Sequence, residues 1–179
     1  MDPAPVGRDA EIAEICALLP AASHAPVAVV ITGDAGIGKT AMWQHVLRVA
    51  GRSSRVLSCR PTAAERPLSF SALDDLFGDV AEEVLPALAG PRRRALETAL
   101  LRDASRGPPG GRSEADRKLP EPRLLGRGIV DALQALSRDG PVVVAVDDAQ
   151  WLDRPAELHA LERTAAGRPG PNSPDRIWR

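Results

Sequence analysis

Eight consecutive residues, Gly33-Asp34-Ala35-Gly36-Ile37-Gly38-Lys39-Thr40, have the types and spacing to hold a row of phosphates. The string GDAGIGKT fits the pattern G-x-x-x-x-G-K-[ST], in which each fixed residue has its own task. Glycines let the backbone turn sharply and bring bare N–H groups against phosphate oxygens. Lys39 is placed to supply a mobile charge for the β- and γ-phosphates, and the Thr40 hydroxyl to ligate Mg²⁺. A helix starting here presents its positive end to the same anion. All eight residues, Gly33 to Thr40, are candidates for binding a nucleoside triphosphate.

Phosphate binding becomes switching or hydrolysis only with a carboxylate near the metal. The run Pro141-Val142-Val143-Val144-Ala145-Val146 is apolar and ends in Asp147-Asp148. In parallel sheets the C-terminal ends of the strands line the ligand crevice, so an acidic residue ending such a strand reaches the phosphates. Asp147 fits the metal role, directly or through a coordinated water, together with Thr40. Asp148 is placed to orient or deprotonate the attacking water, which makes Asp148 and Lys39 the candidate catalytic residues. An aspartate reaches less far than a glutamate, so slow hydrolysis and binding without turnover both fit Asp148.

These residues need strands and helices to hold them. Val27-Ala28-Val29-Val30-Ile31 is a continuous β-branched run, the pattern of a strand buried on both faces. Trp43, Val46, Leu47 and Ala50 follow at helical spacing. Asp9 is expected to cap a helix carrying Ile12, Ile15, Cys16 and Leu19 on one face. Arg55 to Cys59 reads as a second strand bounded by Pro61. Three further helices are marked by Phe70, Leu73 and Phe77, by Leu96, Ala99 and Leu100, and by Leu125, Ile129, Leu133 and Leu136. Residues 104–122 are rich in Pro, Gly and charge and are expected to be a flexible loop. After Asp153 the character changes, and residues 156–179 are expected to form a low-order tail. The fold class expected is α/β, a P-loop NTPase-type three-layer fold with a parallel sheet, occupying residues 1–155.

A chain of 179 residues with 44% apolar and 26% charged residues suits one soluble globular domain. A net charge of -1 gives no bulk electrostatic footprint for nucleic acid. The run Arg92-Arg93-Arg94 reads as a solvated helix face. Cys16 and Cys59 make neither a metal spacing nor a disulfide framework and are expected to be buried thiols. No apolar run approaches the about 18 residues that span a bilayer, and no signal-peptide pattern opens the chain. A cytoplasmic protein without membrane contact is expected. No Asn-Lys-x-Asp or similar guanine-reading motif is present, which favours ATP over GTP.

Three blocks together resemble a known family: Val6-Gly7-Arg8-Asp9-Ala10-Glu11, the loop GDAGIGKT, and VVVAVDDAQWLD from Val142 to Asp153. The chain is similar over roughly residues 5–155 to the N-terminal AAA-like ATPase domain of large LuxR-type bacterial transcriptional regulators, within the STAND class. The segments RPLSFSALDDLFGDV and LPALAGPRRRALETALL add to the likeness. The resemblance implies an ATP/ADP switch with Mg²⁺, in which Gly7 and Arg8 lie near the adenine and ribose. Trp151 would sit at a strand-to-helix corner, as a packing residue or a ligand contact. DNA binding would belong to a C-terminal domain of the full-length regulator and not to this stretch. A sheet of this class has five main strands, one of them between the P-loop strand and the acidic strand, whereas three candidates are found here. The expectation is therefore a truncated domain, incomplete at the C-terminus, with unpaired strand edges that favour self-association. Two other readings stay open: a stand-alone P-loop small-molecule kinase, and a non-catalytic protein-interaction fragment.

Overall fold

The computed structural model describes residue 5 and residues 7–20, 26–65, 70–104, 119–152 and 176–178. Helix α1 (Asp9–Leu18) leads into the short strand β1 (Val29–Ile31), the phosphate-binding loop, and helix α2 (Lys39–Ala50). Strand β2 (Arg55–Cys59) follows, then helices α3 (Ser71–Phe77), α4 (Ala81–Val84), α5 (Gly90–Ala104) and α6 (Pro122–Leu136). Short 3-10 turns at Gly78–Val80 and Leu85–Ala87 flank α4, and strand β3 (Val142–Val146), a further 3-10 turn (Ala149–Trp151) and strand β4 (Arg176–Trp178) follow α6.

The strands pair as two parallel two-stranded sheets, β1 with β4 and β2 with β3. Arg55 pairs with Val142 and Cys59 with Val146, so β2 and β3 begin and end together. The ladder runs on by one bond at each end, Arg55 N–H to Pro141 O and Asp147 N–H to Cys59 O. This even register brings the two strand C-termini side by side, where a parallel sheet builds its ligand crevice.

Two apolar cores support the elements. The larger joins Leu57 and Cys59 of β2 to Leu73 and Phe77 of α3, Leu96 of α5, and Leu125 and Ile129 of α6. Val142, Val144 and Val146 pack against it. Strand alternation therefore turns Ala145 and Asp147 to the opposite face of β3. The smaller core joins Ile12 and Ile15 of α1 to Met42 and Val46 of α2, with Val29 and Ile31 of β1 packed on it.

Strand Arg55–Cys59 agrees with the sequence reading in both bounds, and Val142–Val146 ends as predicted but starts one residue after Pro141. Four further points differ. Strand β1 is shorter than the predicted Val27–Ile31, and it is not buried on both faces: Val29 and Ile31 point to α1 and α2, while Val30 is 51% exposed. Asp9 is the first helical residue rather than the cap, a place taken by Arg8 without a side-chain hydrogen bond. Cys59 is buried as predicted, but Cys16 is only half-buried. A fourth strand is present, because Arg176–Trp178 pairs with β1. The reason is that pairing is non-local: β1 offers backbone donors and acceptors that a three-residue segment satisfies without any periodic pattern of its own. Most of the expected loop, residues 105–118, and most of the expected tail, residues 153–175, lie outside the described residues. Among the described residues, no helix is long and apolar enough to cross a membrane.

Candidate functional site

The loop between β1 and α2 takes its shape from its glycines. Gly36 has φ +79° and Gly38 φ +92°, conformations that a side chain would strain. Gly38 stands at the N-cap of α2 with no side-chain cap. The first N–H groups of that helix are consequently left for an external acceptor, the provision an anion requires. Nearly all of the loop is exposed to solvent.

Lys39 folds back over the loop, donating from Nζ to Gly33 O and to Asp34 O, each at 2.9 Å. Neutral carbonyls are weaker partners for an ammonium than phosphate oxygens, so the side chain is held ready and is not locked. Thr40, at the start of α2, points to the end of β3. Its Oγ1 lies 3.5 Å from Asp147 Oδ1, a contact at the outer limit of a hydrogen bond between residues 107 positions apart.

Asp147 is the one buried charged residue among those described, at 9% exposure. Its Oδ1 also accepts the Asp148 backbone N–H at 3.1 Å. Its Oδ2 lies 2.9 Å from Arg60 Nη2 as an ion pair. The guanidinium N–H bonds are not aligned on that oxygen, so the buried Oδ2 has no hydrogen-bond donor among the described residues. A buried carboxylate oxygen in that state is unusual in a folded protein. It fits a site that completes its coordination with a cation, and the oxygens of Thr40 and Asp147 are of the hard kind that Mg²⁺ takes. No group of three or more His, Cys, Asp or Glu side chains among the described residues could hold a metal by itself. Mg²⁺ here would depend on phosphate oxygens as well as on Thr40 and Asp147, the usual arrangement for that ion.

Asp148 is exposed and left-handed, with φ +55°. Aspartate tolerates that region better than most residues, and such strain clusters at functional sites. Its Oδ1 accepts the Gln150 side-chain amide at 2.9 Å. The 3-10 turn that follows sends Leu152 into the larger core and leaves Trp151 half-buried.

Arg8 also reaches the loop. It lines a small cleft with Glu11, Ile31, Ile37, Gly38 and Lys39, of about 30 Å³, which is room for about one water and not for a purine. Its Nη1 donates to Glu11 Oε1 at 2.8 Å and holds that carboxyl below the usual carboxylate range. Gly7 lies just before Arg8 in a turn with φ +73°. A larger cavity, about 420 Å³, lies elsewhere, lined by Arg52, Ser54, Arg55, Asp139 and Gly140 at the N-terminal ends of β2 and β3. Ligands of parallel α/β sheets bind at the opposite ends, so that cavity is not the candidate site.

The structure thus brings Thr40 to Asp147, with Lys39 and Asp148 next to them in the chain, and places Arg8 with Lys39 on the small cleft. It adds Arg60, which the sequence reading missed. A lone arginine after a strand carries no local signal; only the assumption that β2 and β3 are neighbours in register would have pointed to it.

A glycine loop between strand and helix, facing a carboxylate on a second parallel strand, defines a P-loop nucleotide-binding protein. A family model described as "AAA ATPase domain" matches residues 4–173, and the chain belongs to that family. Membership implies a P-loop NTPase fold, with which the small parallel sheets agree, and it points to nucleotide binding and ATPase activity. Among curated proteins, the chain is 29% identical over 143 residues to the uncharacterized protein R02095 of Rhizobium meliloti (strain 1021). That match covers 70% of this chain and 13% of the relative, so the chain spans a small part of that protein's length. No solved structure matches the chain significantly.

Proposed function

We propose that this chain is an ATP- and ADP-binding switch domain using Mg²⁺, with slow hydrolysis, from a LuxR-type transcriptional regulator of the STAND class. The observation that carries the binding step is the meeting of Thr40 Oγ1 with the buried Asp147 Oδ1 beside the glycine loop. In this reading Gly33 to Gly38 and the start of α2 receive the phosphates, and Lys39 leaves the Gly33 and Asp34 carbonyls for them. Thr40 and Asp147 hold the metal, which neutralises charge on the β- and γ-phosphates. Asp148 orients the water, and its exposure leaves that water room. Gly7 and Arg8 border the base and ribose after the small cleft opens.

The regulator assignment rests on the likeness of three sequence blocks, and a match to 13% of a longer relative accords with a module inside a large protein. Cytoplasmic location belongs to the same proposal, as do the absence of DNA contact by this domain and its self-association. Hydrogen exchange on nucleotide-free, ADP-bound and ATP-bound protein tests the switch. Protection of residues 33–40 with both nucleotides, and of 55–60 and 142–148 with ATP more than ADP, supports it. Identical exchange with ADP and ATP would refute the switch while leaving nucleotide binding intact.

A further inference from the structure

Arg60 faces the candidate metal carboxylate, yet the nucleotide reading leaves it without a task. Its position follows from the register of the sheet. Cys59 pairs with Val146 and the Asp147 N–H bonds to Cys59 O, so Arg60 and Asp147 leave the ladder side by side. Arg60 Nη2 stands 2.9 Å from Asp147 Oδ2, and the two side chains are 52% and 11% exposed. The other oxygen is already engaged by the Asp148 N–H and the Thr40 hydroxyl. Arg60 therefore covers the oxygen that the rest of the described chain leaves without a donor.

A buried carboxylate needs a positive partner, and removing one leaves an uncompensated charge. A metal ion and a guanidinium cannot both sit against one carboxylate oxygen at full contact. Arg60 is half exposed and lacks an aligned hydrogen bond, so it can leave for solvent or for a phosphate at little cost. We infer that Arg60 is a displaceable counter-charge for Asp147. It holds the carboxylate while the site has no metal, gives way when Mg²⁺ enters with nucleotide, and so sets the Mg²⁺ concentration the domain requires. This rests on the reading of Asp147 as the metal carboxylate and adds to it a positioning residue that opposes loading.

The test uses the full chain and a fluorescent ATP analogue, with Mg²⁺ titrated in from excess chelator. Arg60→Ala should lower the Mg²⁺ midpoint by up to about five-fold, the range of one partly exposed ion pair. Arg60→Lys should fall between Arg60→Ala and wild type, and affinity in chelator should be the same for all three. A second readout needs no nucleotide: thermal unfolding of Arg60→Ala, Asp147→Asn and the double variant should show non-additive shifts. The non-additivity should vanish when Mg²⁺ and the analogue are added. An unchanged or raised midpoint in Arg60→Ala, or additive shifts in the free protein, overturns the inference while the nucleotide reading stands. A wild type that does not bind the analogue overturns both.

Discussion

Replacing Asp147 by Asn removes one charge while keeping the shape of the side chain, and the structure allows its two consequences to be separated. In the free protein the amide oxygen can still accept the Asp148 N–H, which lies 3.1 Å from Oδ1. What disappears is the contact with the half-exposed Arg60, worth about 0.2–1 kcal/mol for an exposed pair. Relief from burying a carboxylate opposes that loss. Stability should consequently change by less than about 1 kcal/mol, a shift in Tm of no more than about 4 °C for a chain of this size. Metal binding has no such compensation, because a neutral amide does not replace the carboxylate charge. Loss of a group that positions a metal directly or through water costs about 10–100-fold in metal affinity, or about 1.4–2.8 kcal/mol. The assay follows a fluorescent ATP analogue while Mg²⁺ is added from excess chelator. The midpoint should rise by that factor while affinity in chelator and Tm stay near wild type. If Asp147→Asn binds the analogue with an unchanged Mg²⁺ midpoint, the metal assignment is wrong.

Four further outcomes follow from the same geometry. Lys39→Ala gives up bonds to exposed loop carbonyls, so Tm should hardly move. ATP binding should weaken about 30- to 150-fold, from about 2–3 kcal/mol of lost charge-assisted contact; equal affinity would remove the lysine from the site. Asp148→Asn should leave nucleotide affinity near wild type and lower phosphate release, and a loss of binding would show that Asp148 serves the metal or the fold instead. Gly38→Ala places a Cβ at φ +92° and should cost about 1–2 kcal/mol of stability together with ATP affinity, whereas unchanged melting would deny the strained turn. Arg8→Ala should raise the Glu11 carboxyl towards its ordinary 4.5, read by NMR titration. Because the folded carboxyl is depressed, its contribution to stability is present above the unfolded value and is lost as pH falls through the folded one. That acid-side dependence should shrink in the variant, and an unmoved Glu11 would contradict the pair.

The parts of the site legible in the sequence are those whose chemistry leaves little choice of residue. Gly33 to Thr40 could be read because close phosphate approach needs glycine and its charge needs lysine. Strands β2 and β3 could be read to within a residue because Pro61 bounds one and Asp147 ends the other. Contacts that depend on how distant segments register left no local trace. Arg60 faces Asp147 only because Cys59 happens to pair with Val146. Strand β4 is three residues, Arg176-Ile177-Trp178, whose strand state comes from its partner β1 and not from a pattern of its own. Val30 looked buried because its neighbours are apolar, yet alternation turns it away from α1 and α2. Asp9 suits a cap by type, but the chain enters α1 one residue earlier, which puts its charge in the first turn, where the helix dipole also favours it.

If the glycine loop and Asp147 form one site for ATP with Mg²⁺, calorimetric titration of ATP into the purified chain, with Mg²⁺ and then with chelator, will show it. Saturable binding of ATP and ADP at a single site is expected, with weaker binding of GTP and a marked loss of ATP affinity when Mg²⁺ is removed. Binding of ATP that is indifferent to Mg²⁺ and to Lys39→Ala, or no binding at all, would contradict it.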